Sequence, residues 1–150
     1  MNFSGKDPIF SIAALSWAES ELRIMDSTFS GRLSCNQQNG DLPFEEECQA
    51  VVVAEGVNCT LKRVNFSNLG SGAFSSVEGF VTMEDCTFVD ITESAVQIDN
   101  SGGVLQSSDE TLFHPANLTN CSFDNCKCEK GGAIHILPNS HVLIDSCEFV

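Results

Sequence analysis

Three cysteines crowd into the stretch Asn120–Ile136, NCSFDNCKCEKGGAIHI. Cys121, Cys126 and Cys128, with His135, are the residue types that hold zinc through thiolate sulfur and imidazole nitrogen. Their order, Cys-x4-Cys-x-Cys-x6-His, matches no usual zinc-finger spacing. Cys35 and Cys48 bracket a separate segment and are candidates for a disulfide across it. Carbohydrate cleavage would need either two carboxylates acting as acid and base or acidic oxygens gathered around calcium. Asp26, Asp85 and Asp145 fall near predicted strand ends without sharing one repeat column in adjacent repeats, and Asp99 and Asp124 stand alone in turns. The arginines are Arg23, Arg32 and Arg63, and His114, His135 and His141 are scattered. No Ser-His-Asp or Cys-His arrangement emerges, so no catalytic residue, metal site or cofactor is assigned. The glycines of NSGG, Asn100–Gly103, precede no lysine and open no helix, which makes them a turn and not a phosphate loop.

The elements that would position these residues come from an internal repeat. The string LTNCSF ending at Phe123 returns as VTMEDCTF ending at Phe88 and VLIDSCEF ending at Phe149. Looser copies end at Phe66 and Phe29, and Phe3 is a partial sixth anchor. Five positions before each of the five anchors stands Ile24, Leu61, Met83, Leu118 or Ile144; two before stands Ser27, Val64, Cys86, Cys121 or Cys147. A second element follows, a small residue and Ala before alternating positions, at Ala73, Ala95 and Ala133, and more loosely at Ala14 and Ala50. Ala-to-Phe distances of 15, 16, 15 and 16 residues, from Ala14, Ala50, Ala73 and Ala133, set a period near 22. Two insertions interrupt it, at about 31–48 and about 99–111.

Both elements alternate apolar and polar with period two, the pattern of a strand buried on one face. The expected fold is therefore all-β: a right-handed parallel β-helix over residues 1–150, with about five coils. Phe29, Phe66, Phe88, Phe123 and Phe149, with Cys86, Cys121 and Cys147, are its expected interior ladders, the cysteines serving as small hydrophobes. The chain opens on a partial coil and stops one residue past an anchor, which predicts a piece of a longer protein. Residues 9–18, IFSIAALSWA, resemble a short signal core, but Asp7 and Pro8 are a poor basic flank and the repeat uses those residues better.

Composition narrows the partners. The 21 acidic against 7 basic side chains argue against nucleic acid, whose affinity comes from cations on phosphate. No apolar run approaches the roughly 20 residues a membrane helix requires, so no membrane insertion by this segment is expected. Eight cysteines in 150 residues point to an oxidising compartment, extracellular or at the cell surface. Sequons begin at Asn2, Asn58, Asn65, Asn117 and Asn120, acceptors for N-linked glycans if the source is a secreting eukaryote.

The coil around CSFDNC and GGAI, Leu118–Ile136, resembles the repeats of the chlamydial polymorphic outer-membrane proteins and, more broadly, pectin-lyase-like β-helices. The other coils depart from it: SGAF and SAVQ lack the double glycine, and Asp90 stands where Asn68 and Asn125 follow the other anchors. The resemblance implies a secreted or surface-exposed stalk. The expected role is a non-enzymatic repeat protein for adhesion or structural display, contacting a host-surface or matrix protein or a glycan. The alternatives are a polysaccharide lyase or hydrolase with its site elsewhere or degenerate, and a glycan-binding spike.

Overall fold

The computed structural model describes residues 10–13, 21–31, 50–100, 106–107, 110–111, 116–128 and 131–150. The strands wind through five coils, each contributing one strand to each of three parallel sheets. Coil one holds β1 (Phe10–Ala13), β2 (Glu21–Met25) and β3 (Thr28–Ser30). Coil two holds β4 (Val52–Glu55), β5 (Asn58–Lys62) and β6 (Asn65–Leu69). Coil three holds β7 (Phe74–Val77), β8 (Val81–Glu84) and β9 (Thr87–Ile91). In coil four β10 (Val96–Asp99) is followed by a hairpin, β11 (Gln106–Ser107) with β12 (Glu110–Thr111), then β13 (Ala116–Thr119) and β14 (Ser122–Asp124). Coil five holds β15 (Ile134–Ile136), β16 (Val142–Asp145) and β17 (Glu148–Phe149). Sheet A stacks β1, β4, β7, β10 and β15; sheet B stacks β2, β5, β8, β13 and β16; sheet C stacks β3, β6, β9, β14 and β17. The parallel β-helix expected from the repeat is the observed architecture.

The repeat suggested two strands per coil, whereas the chain makes three. What looked like one element ending in Phe is broken by a corner residue in the left-handed region: Asp26, Arg63, Asp85, Asn120 and Ser146, with φ between 49° and 54°. A second left-handed residue recurs near the end of the sheet C strands, at Asn68 within β6, Asp90 within β9 and Asn125 just past β14. Asn and Asp tolerate this conformation better than other side-chain-bearing residues, which accounts for six of these eight positions. The corners stay inside the hydrogen-bond ladder. The Asp85 N–H donates to the Thr119 carbonyl at 3.1 Å, and the Asn120 N–H to that of Asp145 at 3.1 Å. Each corner turns the chain while keeping it paired with the next coil.

Register also corrects the alignment of the small-residue element. Phe74 pairs with Val52 and Val96, so Val51, not Ala50, shares the column of Ala73 and Ala95. Counted from Val51, the distance to Phe66 becomes 15 residues, the same as from Ala73 to Phe88. Phe10 occupies the place of Val52, and Ala14, Phe3 and nearly all of the first insertion lie outside the described residues. The double glycine of GGAI has two separate causes. Gly131 has φ +67°, and a Cβ on Gly132 would lie 2.5 Å from the Cys126 carbonyl oxygen.

Inside, the phenylalanine rings stack face to face from Phe29 to Phe149, with centroids 5.1, 5.2, 4.7 and 5.0 Å apart. Phe66, Phe88 and Phe123 are fully buried, while Phe149 in the last coil is 51% exposed. A second interior column runs through Leu61, Met83 and Leu118, all fully buried. Sheet A turns Ala54, Ser76 and Ile98 inward on one column. Ser76 is the exception there, its hydroxyl buried with no hydrogen-bond partner. An unmet buried hydroxyl costs about 1–3 kcal/mol, so Ser76→Ala should stabilise the fold by about 1 kcal/mol. A rise in the urea midpoint at constant m-value checks this; an equal fall would mean that the hydroxyl has a partner.

Candidate functional site

Strand alternation decides what each coil can present. Inward residues fill the columns above, and outward residues form rows running from coil to coil. On sheet A one such row is Val53, Ser75, Gln97 and His135, all half-buried, and a second contains Glu55, Val77 and Asp99. On sheet B the outward residues are more polar, with Arg23, Thr60, Thr82 and Asn117 in one row and Lys62 beside Glu84 in another.

Cations on sheet B and its corner are tied to carboxylates. Arg23 Nε donates to Glu21 at 2.6 Å, and Lys62 Nζ reaches Glu84 Oε2 in the next coil at 2.7 Å. Arg63 donates through Nε and Nη2 to both oxygens of Asp26, its neighbour in the corner column. The hydrogen bonds from Arg23 hold the Glu21 carboxyl below its usual range, and those from Arg63 do the same for Asp26. Further along the corner column, Asn120 Nδ2 donates to Asp85 Oδ1 at 3.4 Å. In the second corner column, Asn125 Nδ2 donates to Asp90 Oδ1. These corner aspartates therefore act as vertical ties between coils.

The aspartates do not assemble. Asp26 and Asp85 share the corner column, but Arg63 stands between them; Asp145 ends β16, Asp124 ends β14 and Asp99 ends β10. Among the described residues no group of three or more His, Cys, Asp or Glu side chains is placed to hold a metal ion. His135 lies on the outer side of β15 and His141 just before β16, while His114 and Arg32 lie outside the described residues.

The cysteines divide by depth. Cys86 and Cys121 are buried and Cys147 half-buried on one column beside the corner, and the Cys121 N–H donates to Cys147 Sγ at 3.4 Å. All three thiols also turn toward carbonyls of their own corner, Glu84, Thr119 and Asp145, at 3.4 Å. A hydrogen bond with Cys86, followed by burial, pushes the Cys121 thiol well up from its ordinary value. Cys126, in the segment after β14, is half-buried and packs against the core, three residues past Phe123 as Ile91 is past Phe88. Its thiol donates to the Phe88 carbonyl at 3.7 Å. Cys128 is turned outward, toward Glu93 Oε2 at 3.3 Å. Cys59, Cys86, Cys121, Cys126 and Cys147 are free thiols, and Cys35 and Cys48 lie outside the described residues. Cys59 was legible only as part of a loose repeat copy; it is a core residue, 2% exposed, between Leu22 and Val81.

The sequon asparagines Asn58, Asn65, Asn117 and Asn120 are all exposed, while Asn2 lies outside the described residues. The residue between each asparagine and its hydroxyl partner, Cys59, Phe66, Leu118 or Cys121, is buried.

No curated protein and no solved structure is similar enough to the chain to count as a match. A family model described as "Right handed beta helix region" matches residues 49–150, from the end of the first insertion through the last coil. With four of the five stacked coils inside that match, the chain belongs to the right-handed β-helix family.

Proposed function

We propose that this chain is a non-enzymatic extracellular or cell-surface scaffold, serving adhesion or structural display through the outer rows of its coils. One observation carries the reading. Arg23, Lys62 and Arg63, the cations on sheet B and its corner, are each engaged by a carboxylate of the same molecule. An enzyme acting on acidic polysaccharide would use such cations to receive the substrate's negative charge; here they tie strands and coils together. The partner would then be a matrix or host-surface protein or a glycan, met along a rigid strip by rows of side chains one strand spacing apart. The resemblance to the chlamydial polymorphic outer-membrane proteins and to pectin-lyase-like β-helices supports surface exposure, and a glycan-binding spike is the nearest variant of the same role.

The test is incubation of the folded chain with polygalacturonate and related acidic glycans, with and without calcium, followed by assay for unsaturated products and new reducing ends. No product is expected, together with retention on immobilised glycan or matrix protein. Cleavage would replace the scaffold reading with a lyase or hydrolase.

A further inference from the structure

The four exposed sequons are not spread evenly over the solenoid. Asn58 and Asn117 lie on sheet B, Asn65 opens β6 of sheet C, and Asn120 is the corner between the two sheets. No sequon falls among the described strands of sheet A, although they alternate in the same way. In each case the asparagine is exposed and Thr60, Ser67, Thr119 or Ser122 is half-buried, on either side of a buried residue. The local chemistry leaves the amide nitrogen usable. Asn58 Oδ1 accepts the Phe80 N–H at 3.3 Å, a bond that a substituent on Nδ2 would leave in place. Asn120 Nδ2 has two hydrogens and donates one to Asp85.

We infer that Asn58, Asn65 and Asn117, with Asn120 as a competing neighbour of Asn117, are N-glycosylation sites that sheathe sheets B and C. This rests on the extracellular reading above. The donor is a lipid-pyrophosphate-linked oligosaccharide of the secretory route. The asparagine Nδ2 bonds to C1 of the first sugar and loses one hydrogen as a proton. The C1–O bond breaks, and the lipid pyrophosphate leaves with its electron pair. The attached sugars project from outward positions, so no interior column moves.

The experiment expresses the whole chain behind a secretory leader in a eukaryotic cell, with one control sequon on a flexible C-terminal tail. Enzymatic deglycosylation in heavy-oxygen water then marks each occupied asparagine as a labelled aspartate for mass spectrometry. Label at Asn58, Asn65 and at least one of Asn117 and Asn120 is expected, and Asn58→Gln should remove one glycan step from the gel ladder. An occupied control tail with those asparagines unlabelled would overturn the site assignment while leaving the extracellular reading intact. An unmodified control tail would show that the chain does not enter the secretory route even when led there, which would overturn the extracellular reading and the inference with it.

Discussion

Replacing Phe88 with alanine is expected to cost about 3–5 kcal/mol of stability, the range for emptying a buried aromatic site. Its ring is fully buried between Phe66, 5.2 Å away and 5° from parallel, and Phe123, 4.7 Å away and 3° from parallel. Removing it leaves a gap with an aromatic face on either side, and the two neighbours belong to coils whose backbones the sheets hold in place. Collapse around the gap is therefore restricted, which puts the cost toward the upper part of the range. The stacked contacts add to the loss, since aromatic pairs contribute about 0.5–1.5 kcal/mol beyond the area they bury. The same change at Phe149, which is 51% exposed and stacks on Phe123, should cost less than half as much. Urea titration of the two variants checks both values. A loss below 1 kcal/mol at Phe88 would mean that the column is not the core of the solenoid. In a stack where each coil contacts its neighbours, a coil weakened in the middle also uncouples the coils on either side. A broader transition in Phe88→Ala than in Phe149→Ala is the accompanying sign.

The repeat was legible because the interior columns are strict. Phe stacks on Phe, and Leu61 on Met83 on Leu118, so each position is fixed by the coils above and below it. The third sheet was legible too, in a signal that period-two reasoning passes over. Inward residues of coil three fall at 81, 83, 86, 88 and 91, and each three-residue step contains one left-handed corner, Asp85 or Asp90. A regular strand does not turn two residues three apart toward the same side, so the step around Asp85 marks the change from sheet B to sheet C, and the step around Asp90 marks a bend within β9. The small-residue element was misaligned by one in coil two because Ala50 looks like Ala73, and only backbone pairing shows that Val51 takes its place.

The outer surface was less legible, for a physical reason. Outward residues are not constrained by stacking, so a row such as Val53, Ser75, Gln97 and His135 carries no repeat that a sequence comparison could align. The role of the corner aspartates was hidden for a related cause. Asp26 and Arg63 are 37 residues apart, on either side of an insertion, and only the coil register brings them together. The inward packing of Cys126 was not legible, because Asn125, one residue before it, is a single left-handed residue after which the chain returns toward the core.

Alkaline pH should weaken the fold through Cys59, and a single substitution isolates that effect. Burial pushes the Cys59 thiol up from 9.0 to about 12, and its S–H donates to the Val57 carbonyl at 3.6 Å. In the unfolded chain the same thiol returns to its ordinary value. Below pH 9 both states keep the proton, and the contribution of the buried thiol is fully present. Between about 9 and about 12 the unfolded chain gives up its proton while the native chain retains it, so unfolding is favoured as pH rises. The loss approaches one proton, or about 1.4 kcal/mol per pH unit, until the native thiol ionises as well. The chain has no tyrosine, which leaves cysteines and lysines as the side chains titrating in this window. Cys59→Val, close in volume and without a proton to lose, should leave stability at pH 8 nearly unchanged. The fall in stability between pH 9 and pH 11 should then be shallower by up to one proton, in urea titrations under reducing conditions. The shift of about three units also leaves native Cys59 with roughly a thousand-fold less thiolate than the unfolded chain at pH 8, so alkylation there should proceed only through opening of the coil. Equal pH slopes in the two proteins, or alkylation of native Cys59 as fast as in urea, would show that the thiol reaches solvent and that the column between Leu22 and Val81 does not close over it.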